Sequence, residues 1–140
     1  MHLLDSDTLS HLHAGHPRVI AKIRAVGDPH VGTTIVTKIE ILRARYAFVM
    51  KASTGEELIK AQHWLLRSEE LLERLLIVPI DATAARQFDS LRVNKKLRKI
   101  GRADLLIASI TLAAGATLVT RNLRHFQQVP NLRVVNWVDL

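Results

Sequence analysis

Short apolar runs alternate along the chain with longer segments whose apolar positions repeat with a helical period. Glycine, proline or polar residues typical of turns bound each short run. The short runs predict five strands, which we place at residues 3–4, 31–34, 76–80, 117–120 and 132–136. The periodic segments predict helices, which we place at residues 8–14, 17–26, 38–52, 54–75, 81–99 and 102–114.

Capping residues support these helix boundaries. Gly15 is expected as a C-cap, Pro17 lies in a first helical turn, and Asp81 is expected as an N-cap. Thr54 and Glu57 have the spacing of a capping box. Because five strands are joined by helical crossovers, we expect an α/β fold with a mostly parallel five-stranded sheet covered on both faces. The length of 140 residues predicts a single domain over residues 1–140.

Charge and composition narrow the function classes. Twenty Lys and Arg residues against thirteen Asp and Glu residues leave a net charge of +7, which favours a polyanionic partner such as nucleic acid. The absence of cysteine excludes disulfides, thiolate metal sites and cysteine nucleophiles. With six aromatic residues, we expect nucleic-acid binding to be mainly to phosphates.

The most apolar segment, residues 103–119, is expected to be a buried helix and strand. Asp104 and Gly115 interrupt it, so we predict no membrane span. The first residues carry no basic leader and no long apolar stretch, and we therefore expect no signal peptide and a cytoplasmic location.

Acidic and amide side chains follow the predicted strands. Asp5 and Asp7 follow the first strand, Glu40 lies after the second, Asp104 begins the helix before the fourth, and Asn122 follows the fourth. The carboxyl ends of parallel strands meet at one edge of the sheet, where ligands bind. Carboxylates crowded there repel one another unless a cation is present, and oxygen ligands favour Mg²⁺ or Mn²⁺ over zinc.

Each of these residues also has a structural interpretation. Asp5 or Asp7 fits a turn or N-cap, and Glu40 fits a capping box with Thr37. Asp104 fits the positive end of its helix dipole, and Asn122 fits a turn.

Four segments resemble the PIN domain family, most closely the VapC-type toxins of bacterial toxin–antitoxin pairs. They are LLDSDTL at 3–9, TTIVTKIEI at 33–41, IGRADLLIASITLAAGATLVTRNLRHF at 100–126, and the ending VPNLRVVNWVDL. The resemblance implies a three-layer α/β/α fold, a metal-dependent endoribonuclease and inhibition by a cognate antitoxin. We also expect a homodimer.

The resemblance further implies site residues. Asp5, Glu40 and Asp104 match the metal-holding acids of the family, whereas Thr120 and Asn122 match its polar residues after the fourth strand. We expect Asp5 and Asp104 to bind the metal directly and Glu40 to act through water. Many PIN domains have Asp where Asn122 stands, which leaves the number of metals open. Whether Asp7 is a further ligand or a helix cap also stays open.

The histidines and the basic residues complete the candidates. We expect no catalytic histidine, because His125 and the group His11, His13 and His16 are interpreted as exposed or helix-end residues. The candidate phosphate-binding residues are Arg92, Lys95, Lys96, Lys99 and Arg102, with Arg121 as a weaker one. In one helix, the first four would share a face, and the alternative is an ordinary solvated helix.

Two other functions fit less well. Asp5 and Asp7 also have the spacing of a haloacid-dehalogenase-type phosphotransferase, but Leu9 departs from that pattern. The second alternative is a non-catalytic module that binds RNA or an antitoxin.

Overall fold

The computed structural model describes all residues, 1–140. Its strands are β1 (His2–Leu4), β2 (Val31–Thr34), β3 (Leu76–Val78), β4 (Thr117–Val119) and β5 (Arg133–Val135). Its α-helices are α1 (Ser6–His13), α2 (Pro17–Val26), α3 (Ile35–Lys51), α4 (Gly55–Glu73), α5 (Ala82–Arg92), α6 (Arg102–Ala113) and α7 (Leu123–Phe126).

The five strands form one sheet in the order β3-β2-β1-β4-β5, and every neighbouring pair is parallel. Leu4 is paired in register with Val119, so that β1 and β4 end side by side. Thr34 is paired with Val78 in the same way. The predicted α/β fold with a parallel five-stranded sheet is confirmed, and the carboxyl ends of its strands lie along one edge.

Helices cover both faces of the sheet. Consecutive residues of a strand point to opposite faces, and accordingly Val119 packs in a core with Leu9 of α1 and Val19 of α2. Its neighbour Leu118 packs in a second core with residues of α5 and α6. The three-layer α/β/α arrangement is therefore confirmed.

Gly32 allows β2 and β3 to approach closely. A Cβ atom built at this position would lie 2.7 Å from the Cβ of Leu76, closer than real Cβ atoms come. Any side chain here would separate the two strands where Gly32 pairs with Leu76, the first residue of β3.

The beginning of α3 differs from the prediction. Thr34 is the N-cap, and its Oγ1 accepts a hydrogen bond of 3.1 Å from the Thr37 backbone N–H. The alternative interpretation of Thr37 and Glu40 as a capping box is wrong, because Thr37 is buried inside the first turn. Glu40 therefore lies in the second turn and does not cap the helix.

The helix predicted over residues 81–99 is also too long. Asp81 is its N-cap, as expected, but α5 ends at Arg92 and a short 3₁₀ helix follows at Lys95–Leu97. The Asn94 side chain accepts a hydrogen bond from the Lys96 backbone N–H, which starts this separate turn. Burial of Leu97 and Ile100 against α5 and α6 holds the segment in its irregular path.

Candidate active site

Asp5 is fixed where β1 passes into α1. Its backbone N–H donates to the Val119 carbonyl at 3.1 Å, and its Oδ1 accepts a hydrogen bond of 2.9 Å from the Thr8 backbone N–H. The structure thus confirms Asp5, rather than Asp7, as the N-cap of α1. One carboxylate oxygen is left for other partners.

Two buried threonines hold the strand ends around Asp5. The Thr8 hydroxyl donates to the Val119 carbonyl at 3.3 Å, and the Thr33 hydroxyl donates to the Leu4 carbonyl at 2.6 Å. The first hydrogen bond joins α1 to β4, and the second joins β2 to β1, both at the carboxyl edge. The side chains that follow the strands therefore start from a fixed backbone.

Glu40 extends from α3 toward the other two acids. Partial burial, followed by the negative charges of Asp104 and Asp5, raises the pKa of the Glu40 carboxyl above its ordinary value. Arg43 opposes this shift only as the smallest of the causes. Asp5, Glu40 and Asp104 thus form one electrostatically coupled group, which we call the acid cluster.

Asp104 lies in the first turn of α6, as predicted, and has a partner that the sequence interpretation set aside. The Nε2 of His125 lies 2.9 Å from Asp104 Oδ2. His125 belongs to α7, a short helix for which only a turn at Asn122 was predicted. His125 lies in the last turn of this helix, as expected for a helix-end residue, but it is not exposed: its side chain is only 24% exposed and contacts Asp104.

Thr120 and Asn122 follow β4 as predicted. Thr120 is completely buried, and its Oγ1 accepts a hydrogen bond of 3.1 Å from the Asn122 backbone N–H. Asn122 lines an open cleft together with Asp5 and Asp7. The two polar residues therefore lie beside the acids, with Thr120 shaping the turn that presents Asn122.

The same cleft contains an ion-pair network that was only partly foreseen. Arg121 Nε lies 3.1 Å from Asp139 Oδ2, and Arg121 Nη1 lies 3.7 Å from Asp7 Oδ2. The hydrogen bond from Arg121, followed by that from Asn136, lowers the pKa of Asp139 below its ordinary value. Asp139 was missed because its partner is 18 positions away, and no local pattern marks such a pair.

The donor set of the acid cluster suits a hard divalent cation. It offers carboxylate oxygens, and partial burial together with the charges of Asp104 and Asp5 raises the pKa of Glu40 more than Arg43 lowers it. As the side chains stand, however, no group of three or more His, Cys, Asp or Glu residues is arranged to hold a metal ion. The chemistry of the donors fits Mg²⁺ or Mn²⁺, and Mg²⁺ commonly binds through one or two carboxylates and keeps several waters.

The basic residues do not form the expected single helical face, because α5 ends before Lys95. Arg92 forms an ion pair with Asp89 at 3.2 Å, and Arg102 stacks on the Phe88 ring at 5.4 Å from its centroid. Lys95, Lys96 and Lys99 are exposed on the loop that leads to α6. This loop still carries a concentration of positive charge next to the helix of Asp104.

Comparisons with known proteins agree with this geometry. The model of the family described as "PIN domain" matches residues 2–132. The chain is 43% identical over 68 residues to "Ribonuclease VapC2" of Rickettsia felis, covering 47% of this chain and 51% of the relative. It is 36% identical over 72 residues to "Ribonuclease VapC2" of Haemophilus influenzae, covering 50% and 54%. The chain thus spans about half the length of the curated relatives it matches.

Solved structures extend the likeness over nearly the whole chain. The crystal structure of VapBC2 from Rickettsia felis bound to a DNA fragment from their promoter superimposes with a TM-score of 0.75 at 25% identity, over 97% of this chain and 98% of the other. DNA-bound VapBC from Salmonella typhimurium gives a TM-score of 0.77 at 21% identity, over 97% of each chain, which supports the fold alone. None of the helices is both long enough and apolar enough to cross a membrane.

Proposed function

The chain belongs to the PIN domain family, and we propose that it is a metal-dependent endoribonuclease, the toxin of a VapBC-type toxin–antitoxin pair. The observation that carries the proposal is the acid cluster, in which partial burial and then the charges of Asp104 and Asp5 raise the pKa of Glu40. Carboxylates held together at a cost to their charged forms are typical of functional sites. The ribonuclease names of the relatives support the same activity.

Asp5 and Asp104 would hold a Mg²⁺ or Mn²⁺ ion directly, and Asp7 is a further candidate ligand. When bound, the ion supplies charge stabilisation for the phosphate and lowers the pKa of a bound water. Glu40 accepts a proton from the attacking water, a task that a carboxylate with a raised pKa performs better than an ordinary one. His125 donates its N–H to Asp104 and so fixes the direction of that carboxylate.

The polar and basic residues would orient the RNA. Asn122 lies in the cleft with Asp5 and offers an amide to a phosphate oxygen, while Thr120 fixes the turn before it. Arg121 is held in the same cleft by Asp7 and Asp139, so that its remaining N–H groups are available to a phosphate. Phosphates farther along the strand would bind the exposed group Arg92, Lys95, Lys96, Lys99 and Arg102.

We further propose that residues 1–140 act as one PIN domain with a protein partner. The related structures are described as VapBC complexes, which supports a cognate antitoxin. Large apolar side chains remain exposed where α3 and α4 meet, with Phe48 60% and Met50 83% exposed. Exposed apolar side chains of this size are typical of protein interfaces. The interface that we propose is that of a homodimer, and sedimentation of the purified protein would test it.

Cleavage of RNA by the purified protein tests the proposal. We expect cleavage with Mg²⁺ or Mn²⁺, none with EDTA, and loss of activity in Asp104→Asn with the fold retained by circular dichroism. Glu70→Gln is the matched control, because it removes an exposed carboxylate of α4 that pairs with Arg74. Cleavage in EDTA would contradict the metal role, and a purified protein that binds RNA without cleaving it would establish the non-catalytic alternative. The family match gives the phosphotransferase alternative no support.

A further inference from the structure

A groove runs beside the acid cluster between α1, α3 and α4, with a volume of about 620 Å³. We call it the Trp64 groove and define it by Ser6, Leu9, Glu40, Arg45, Trp64 and Arg67, which are among its lining residues. Half of the residues around it are hydrophobic. Its size lies within the ordinary range for a ligand site, roughly 300 to 1,000 Å³.

Two arginines accompany the half-buried Trp64 ring. The guanidinium carbons of Arg45 and Arg67 lie 5.5 and 5.6 Å from the ring centroid. Arg45 is held in place by a hydrogen bond of 3.0 Å from its Nε to the Ser68 hydroxyl. The arginine ion pairs of this structure are those of Arg74, Arg92 and Arg121, so neither groove arginine is neutralised by a carboxylate.

The groove is continuous with the acid cluster. Glu40 lines the groove and is also coupled electrostatically to Asp5 and Asp104. Ser6 lines the groove as well, and it stands between Asp5 and Asp7, which line the open cleft on the other side. A strand whose phosphodiester lies at the acids would therefore have an adjoining nucleotide next to the groove.

We propose that the Trp64 groove is a nucleotide-binding subsite for single-stranded RNA, in which a base beside the cleaved phosphodiester stacks on Trp64 and its arginines. The inference rests on the proposed ribonuclease function. Aromatic rings and guanidinium planes are the surfaces on which unpaired RNA bases stack, and the uncompensated charges of Arg45 and Arg67 suit the flanking phosphates. Composition alone predicts binding mainly to phosphates, whereas the fold places one of the two tryptophans beside the acids.

Fluorescence of Trp64 provides a direct test. The second tryptophan, Trp137, is buried at 4% exposure, and Trp137→Phe leaves Trp64 as the only indole. In this background, without added metal, we expect a short single-stranded RNA of random sequence to quench the emission. Inorganic polyphosphate, which carries the charge but no bases, should not quench it. Equal quenching by polyphosphate or by an acidic peptide would overturn base recognition.

Substitutions add an independent measurement. Trp64→Leu should raise the KM for RNA about tenfold, within the range expected for losing one stacked base, while Trp64→Phe should retain most of the affinity. Arg67→Gln, at an exposed position, should weaken binding without affecting folding, and Arg74→Gln at the C-cap of the same helix is the matched control. If Trp64→Leu and Arg67→Gln cleave RNA with the parent KM, the subsite is overturned and the ribonuclease function stands. If the parent protein quenches with RNA but never cleaves it, the ribonuclease function fails and the subsite stands.

Discussion

Two carboxylates at opposite ends of the central strands show contrasting environments. Asp28 lies near the start of β1, where the hydrogen bond from His2 at 2.6 Å, the His30 backbone N–H and the amino terminus lower the pKa of its carboxyl far below the ordinary value. Glu40 lies near the carboxyl ends, where partial burial and the neighbouring acids raise its pKa. Asp28 is surrounded by groups that neutralise it and serves the fold, whereas Glu40 opposes two like charges and serves the proposed chemistry.

The largest difference between the two residues should appear in activity. Glu40→Gln removes the charge without changing the shape, and we expect RNA cleavage to fall at least ~10²-fold, the low end for a positioned acid–base group. Asp28→Asn should leave the cleavage rate unchanged at temperatures where the protein is folded. Initial rates on a labelled RNA measure both, with Glu70→Gln of α4 as the control. Wild-type cleavage by Glu40→Gln would end the contrast.

Asp104 is intermediate between the two carboxylates. Its negative charge has one hydrogen-bonding partner, His125, whereas Asp28 has several. We expect His125→Ala to lower activity by about tenfold, the lower end of the effect of removing the partner of a metal ligand. The Mg²⁺ concentration that gives half of the maximal rate should rise. A His125→Gln variant that restores activity would indicate that the hydrogen bond, rather than the ring, is what Asp104 requires. An unchanged Mg²⁺ dependence in His125→Ala would place His125 outside the site.

Substitution of Thr34, the N-cap of the helix that carries Glu40, should change the stability of the protein and not its activity. Thr34→Ala removes the N-cap of α3, which should cost about 0.5 to 2 kcal/mol of stability. Most of the cleavage activity should remain below the lowered melting temperature, since Glu40 makes no contribution to the cap. Thermal unfolding measures the change, and Thr54→Ala, which removes the N-cap of α4, is the matched control. A drop in activity larger than the drop in folded fraction would contradict this separation of roles.

The smallest effect should be on the pH dependence of stability, to which Asp28 and Glu40 contribute with opposite signs. Asp28 has a lowered pKa, so its contribution is present above the ordinary Asp pKa and is lost as pH falls below it. Glu40 has a raised pKa, so it destabilises the folded state increasingly as pH rises through a window just above the ordinary Glu pKa. In metal-free Asp28→Asn, the melting temperature should no longer show the part of the acid decline that Asp28 causes. In metal-free Glu40→Gln, it should no longer show the decline that accompanies rising pH just above the ordinary Glu pKa. Parallel pH curves for the two variants and the parent would refute the assigned environments.

The sheet and its acidic edge could be predicted because they follow from alternation along the chain. Once residues 31–34 and 117–120 are assigned to parallel strands, the positions of Asp5 and Asn122 at one edge follow from geometry. The cap of α3 could not be assigned, because TTIVT offers several threonines with equal local preference. Burial of Val36 and Thr37 against the sheet decides among them, and this is a tertiary effect.

The remaining errors have the same origin. Residues 95–99 are good helix formers, yet the Asn94 cap and the buried pair Leu97 and Ile100 terminate the helix early. His125 and Asp139 contact residues 21 and 18 positions away, and only the folded chain brings those partners together. Local patterns thus predicted the backbone of the site more completely than its side-chain contacts.

The double use of Asp5 offers a practical tool. One of its carboxylate oxygens already serves as the cap of α1, and asparagine performs that capping task about as well as aspartate. Asp5→Asn should therefore keep the helix in place while removing the negative charge that the proposed chemistry needs. Under the proposed ribonuclease function, a host should tolerate such a protein, because its RNA would not be cleaved. It would also retain bound RNA intact, so that crosslinking and sequencing could identify the natural target directly.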